Sequence, residues 1–341
     1  MATPGQVEFS IEEIEAEHDY AVPHIECGLK LHGGFDKDGT YFSPRTKNRW
    51  QAINNWHEQL NQRGVPIVEA TTSLLTEPNF PNIPQQVFLL KHGIEQSFWD
   101  SLTITGLIEA RGKALAELNP PNFQSIVKED ISGMALGHMN KGLLTTHGWD
   151  EGGRPGSDIG GHDVMWFAAR DLIFGKDKFP IPEAPSSIGR EKAEREMLQL
   201  PLEHEMLISF LMNLLMIEVR AERAFDFYEK VMSSEEIFTD RRPEAAHAVL
   251  LVNRIRQDES VHVAWLRAAI SEFRSATILA VSGEQVSGRE ILDPVWSAMV
   301  HWHSVEMHEA IRPKNFAAVK EVVLARTDGQ HVFKQFESLA A

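Results

Sequence analysis

From residue 95 onward, apolar side chains recur three, four and seven positions apart over long windows, and alternating runs of β-branched residues are scarce. That period belongs to amphipathic helices, so the chain is expected to be all-α. Four helices carry most of the pattern. They are read over 95–118, stopped by Asn119-Pro120-Pro121, then over 123–146, 201–232 and 243–273. Ahead of them Pro23, Gly33, Gly34, Gly39 and Pro44 mark an irregular region, where Ser43-Pro44 opens a helix to about Arg63 that presents Trp50 and Trp56. Behind them a helix over 294–311 precedes Pro313 and a further short helix. Residues 148–190 are rich in Gly and Pro, hold a short helix near 161–174, and read as a lid or wall. One domain over 1–341 is expected, with 95–147 and 201–273 as two helix pairs.

The fourth helix contains Asp258-Glu259-Ser260-Val261-His262. Three residues apart on a helix, Glu259 and His262 share a face and can reach one metal ion. The rest of that face is Ala248, Val252, Ile255, Val263, Leu266 and Ile270, which is a core stripe. A charge buried there costs several kcal/mol unless a partner or metal compensates it. On the third helix, the face Leu211, Leu215, Glu218, Val219, Glu222, Phe225 also turns acidic in mid-helix. Hairpin counting admits Glu218 or Glu222 as the residue level with Glu259. An acidic patch pairing with Arg220 and Arg223 is the alternative, and it accounts for one glutamate more easily than both. The first helix offers Glu109 and the second His138, each of which a hydrogen-bonded buried polar group would also explain.

A glutamate from each of two helices and a Glu-x-x-His from each of the others resembles the ferritin-like non-haem dimetal carboxylate proteins. The resemblance covers about 95–270 and implies a ferritin-like four-helix bundle with additional N- and C-terminal helices. It also implies two metal ions, iron or manganese, that activate O2. Glu218 or Glu222 with D-E-S-V-H matches one half-site fully, and Glu109 and His138 match part of the other. There, Ala135 stands where the second half-site's carboxylate is expected and Met134 where its aspartate is expected. Asp258 is implied to accept the free N–H of the partner histidine, His138. Arylamine N-oxygenases of the aureothin type have two full half-sites and an extra histidine where this chain has Ile255. Dimetal halogenases of the cylindrocyclophane type are the nearer resemblance, because a missing carboxylate opens a position for chloride or bromide. The expectation is therefore C–H halogenation of an apolar, fatty-acyl substrate, free or carried by an acyl-carrier protein. An electron donor and a homodimer are expected too. A di-iron hydroxylase or N-oxygenase, and a ferritin-like metal-storage protein, are the alternatives.

Composition bounds the rest. With 33 basic and 49 acidic residues the net charge is −16, which argues against nucleic-acid and anionic-membrane binding. Cys27 is the sole cysteine, so no intramolecular disulfide can form. The N-terminal thirty residues lack the apolar core of a secretory signal, and the apolar run 206–217 is too short to span a bilayer, so a cytoplasmic protein is expected. No Walker loop, G-x-S-x-G, C-x-x-C or G-x-G-x-x-G is present. His301, His303 and His308 face different sides of one helix, whereas His162, Asp163 and Asp171 are placed to support a bundle site or line an access channel.

Overall fold

The computed structural model describes residues 9–191 and 194–340. In chain order the elements are α1 (Ile11–Ile14), β1 (Val22–Glu26), β2 (Leu29–Phe35), β3 (Tyr41–Phe42), α2 (Thr46–Gln62), α3 (Ile83–Lys91) and α4 (Gln96–Gly112). They continue with α5 (Ala135–His138), α6 (Leu144–Gly152), α7 (His162–Phe174), α8 (Leu202–Ser233) and α9 (Arg242–Ser275). The chain ends in β4 (Thr277–Leu279), β5 (Gln285–Ser287), α10 (Gly288–His301), α11 (Met307–Leu324) and α12 (Gly329–Ser338). Helix accounts for 61% of the chain and strand for 7%, so helical predominance holds while two small antiparallel sheets qualify the all-α reading.

The two longest helices, α8 and α9, form an antiparallel hairpin with their apolar stripes facing each other. Glu203 and Glu205 in the first turn of α8 and Lys230 in its last complement the helix dipole. Helix α7 packs against both α9 and α4. Phe98 of α4 meets Phe174 of α7 while Glu109 lies near His162, so these two helices also run antiparallel. Tryptophans 99, 166 and 265 and Phe225 fill the space between the helices. No helix among the described residues is long and apolar enough to cross a membrane.

The second helix is where the structure departs most from the sequence pattern. A 3-10 turn at 123–125 and an irregular stretch precede α5, and a π-helical turn over Met139–Leu143 leads into α6. Gly142, at φ 104°, makes the kink that an L side chain would resist. The Glu272 carboxylate caps α5, accepting the N–H groups of Ala135 and Leu136 at 3.0 and 2.9 Å. Helix α6 thus begins near where the pattern was read as ending and runs into the segment taken for a lid. Helix α7, read as a loop-borne piece, is a packed member of the core. Helix α2 is capped at Arg45, in the left-handed region at φ 52°, and not at Ser43. In the C-terminal part the Ser287 side chain accepts the Arg289 N–H and starts α10 at Gly288, so Pro294 lies inside that helix, and Pro313 lies inside α11.

Candidate metal centre

Four carboxylates and three imidazoles converge between α4, α6, α7, α8 and α9. Glu109, Glu151, His162 and Glu259 can each present a ligand atom within 4.8 Å of one another, and so can His147, Glu151, Glu218 and His262. All seven are buried. Glu151 belongs to both groups, with its Oε1 3.3 Å from His262 Nδ1, 3.4 Å from His147 Nε2 and 3.8 Å from His162 Nδ1. Glu259 lies between the two histidines that flank it, 2.6 Å from His262 Nδ1 and 3.1 Å from His162 Nδ1.

The histidines are oriented from behind by two aspartates. Asp258 Oδ2 lies 3.3 Å from His162 Nε2, and Asp150 Oδ2 lies 3.2 Å from His262 Nε2. Each aspartate immediately precedes a site glutamate and serves the histidine of the opposite half. With Nε2–H donated outward, Nδ1 of both rings faces the carboxylates and is the nitrogen whose lone pair a metal ion would take in place of its proton. The N-terminal region holds these aspartates in turn. Asp150 receives Arg49 at 2.8 Å and Arg45, and Asp258 receives His32 at 3.0 Å and Tyr41 Oη at 3.1 Å. His147 stacks on His262 with centroids 3.7 Å apart, and its Nε2 is 3.1 Å from Glu218 Oε1.

The charges conflict unless cations join them. Burial, with Glu109 and Glu259 adding to it, holds Glu151 well above the ordinary carboxylate range; burial and Glu259 do the same to Glu218. Burial also opposes ionisation of Glu259, yet His262 and His162 outweigh it and keep that group well below its usual value. Burial alone would neutralise His162 and His262, but Glu259 and its neighbours hold both well above their usual value. His147 goes the other way, driven down by burial and by His262. Its ring nitrogens, His162 Nδ1 and Glu259 Oε1 make no hydrogen bond of good geometry. Buried nitrogen and oxygen atoms without well-formed hydrogen bonds are what divalent ions with N and O ligands would satisfy, so the donor set fits two metal ions, with Glu151 common to both groups.

Of the residues expected from sequence, Glu109, Glu218, Glu259 and His262 come together here. His138 does not. It lies at the end of α5 with its ring on Trp56 and its Nδ1 2.6 Å from the Met134 carbonyl. Glu222 faces Arg256 on α9, at 3.0 Å, and it is Glu218 that α8 brings to the cluster. Arg220 and Arg223 pair with neither glutamate. The histidine that Asp258 orients is His162. Ala135 is fully buried with its N–H bonded to Glu272 and lies outside the cluster, which has Glu151 in both of its groups. His147, Glu151 and Asp150 were missed, although Asp150-Glu151 repeats Asp258-Glu259 and His147 sits one turn earlier. Arg154 occupies the place of the paired histidine, and His162 replaces it from the next helix. His32 and Tyr41 carry no signal of this role in the sequence. Compared with known proteins, the chain matches no family, no curated protein and no solved structure.

Proposed function

We propose that this protein is an O2-dependent dimetal oxidoreductase built on a ferritin-like helix arrangement. In this reading α4, α8 and α9 are three bundle helices and the fourth is divided into α6 and α7. The convergence of four glutamates and three histidines in one buried site carries the reading. Glu109, Glu151, His162 and Glu259 would hold one ion, and His147, Glu151, Glu218 and His262 the other, with iron preferred and manganese admissible for such a ligand set. Bound ferrous ions would supply electrons and coordination positions for dioxygen. Asp150 and Asp258 fix the tautomers of His262 and His162 and raise their basicity. Glu151 and Glu218 give up protons as cations enter. Leu215 and Val219, within a turn of Glu218, and Ile255, one turn before Glu259, are buried apolar side chains, which favours an apolar substrate and excludes water.

The argument for halogenation was a missing carboxylate, and Glu151 removes it. Oxygenation is therefore the reaction class this ligand set supports best. Metal analysis of protein from iron-supplemented cells should find about two ions per chain, and fewer than one under saturating iron and manganese would overturn the proposal. Mass spectrometry with O2, a reductant, chloride and bromide, over fatty-acyl and aromatic substrates, should show added oxygen. Halogenated products would instead restore the halogenase reading.

A further inference from the structure

A second polar locus lies on the outer side of α8, away from the metal centre. Arg220 is enclosed between α8, the segment around Ile188 and the π-helical turn Trp302–Glu306. Its Nη1 donates to the Ile188 carbonyl at 2.9 Å and meets His303 Nδ1 at 3.3 Å. His303 is fully buried, and its Nε2 lies 3.2 Å from Asn213 Oδ1. Asn213 Oδ1 already accepts the Arg190 N–H at 2.6 Å, so it is an acceptor and His303 Nε2 must carry the proton. His303 Nδ1 is then the lone pair that receives Arg220, and the ring is neutral; burial and Arg220 push its ionisation down to about 3.

Both partners of Arg220 are thus uncharged. Arg45, Arg49, Arg254 and Arg256 each end on a carboxylate, whereas no described acidic group lies within ion-pair distance of Arg220. An arginine guanidinium stays charged at neutral pH. A half-buried cation without a counter-ion carries a desolvation cost, and no acidic group among the described residues offsets it. Its hydrogen bonds run from Nη1, which leaves the Nε and Nη2 edge as the fork that matches two oxygens of an anion. Arg220 is half-buried, so the residue is not sealed off from solvent.

We propose that Arg220 and its surroundings form a binding site for an oxyanion, the carboxylate or phosphate group of a small ligand or of a substrate's polar end. The inference is independent of the metal reading, because Arg220 points away from the ligands on its own helix. Isothermal titration calorimetry with inorganic phosphate and with acetate, at matched ionic strength, should find one site per chain for at least one of them. The better of the two identifies the headgroup chemistry. Arg220→Gln should weaken it at least about tenfold, with metal content unchanged. His303→Glu, which supplies an internal carboxylate to the guanidinium, should abolish it while keeping the site's charge balanced. Absence of binding by either anion to the native protein, or equal binding by Arg220→Gln, would overturn the proposal; if that variant does not fold, undiminished binding by His303→Glu does so.

Discussion

At the residue scale, the centre separates glutamates and histidines that look alike in sequence. In the proposed centre Glu151 belongs to both ligand groups and His262 to one, so Glu151→Ala and His262→Ala are each expected to lose at least one ion per chain. His138→Ala and Glu222→Ala leave the site intact and should retain both, a contrast that elemental analysis reads directly. The reverse pattern would place the centre elsewhere. Ala135→Glu would not create a ligand. It would bury a second carboxylate beside Glu272 in a site with no space, at a cost of about 3 kcal/mol or more. Urea unfolding should show that loss, with metal content of the folded fraction unchanged. Glu259 and His262 were legible because they interrupt an apolar stripe on a long regular helix. His162 was legible only as a neighbour, since its ligand role depends on where α7 packs.

At the element scale, the two aspartates do the same job with different supports. Asp258 is held by neutral-capable groups, His32 and Tyr41, whereas Asp150 compensates two buried guanidinium groups. Asp258→Asn is therefore expected to act mainly on the metal, weakening retention by about 10–100-fold in a chelator competition. Asp150→Asn should in addition destabilise the fold by about 3–5 kcal/mol, because Arg45 and Arg49 lose their counter-charge. Equal unfolding midpoints for the two variants would contradict this difference. The cap of α5 gives a pH signature. Burial pushes Glu272 up to about 7 from an ordinary 4.5, against the pull of the Leu136 and Ala135 N–H groups. A carboxyl raised on folding stabilises the protein at low pH and loses that contribution as pH rises from about 4.5 through 7. Glu272→Gln should thus gain stability relative to the native chain between pH 5 and pH 7, by up to about 3 kcal/mol, in denaturant titrations at the two values.

At the scale of the whole molecule, the fold concentrates buried acids and histidines in one place, which the proposed metal ions would reconcile. Without metal, Glu151, Glu218, His162 and His262 are all raised above their usual values. Groups raised on folding lose their stabilising contribution as pH rises, and His147, which is lowered, adds nothing further once pH exceeds its ordinary value. The metal-free protein should therefore melt at progressively lower temperature from pH 7 to pH 9, while the metal-loaded form changes less. Scanning calorimetry of chelator-treated and reloaded samples measures the gap, and a gap independent of pH would count against metal as the compensating charge. The N-terminal sheet and α2 belong to this balance, since they supply Arg45, Arg49, His32 and Tyr41 from outside the helical core.

The sequence by itself determined the long helices, because a 3.6-residue apolar period sustained over α8 and α9 admits no other regular structure. It also determined that Glu259 and His262 would share one buried face, since their spacing is a property of a single helix. It could not determine the other half of the centre. The Asp150-Glu151 pair sits where glycines and a π-helical turn break the period, and its histidine comes from α7, beyond a loop. Only the packing of α7 between α4 and α9 brings His162 level with Glu109, and only the docking of the N-terminal sheet places His32 and Tyr41 on Asp258. Helical spacing is local and can be read along the chain; which side chains meet across helices depends on packing, which the spacing does not encode.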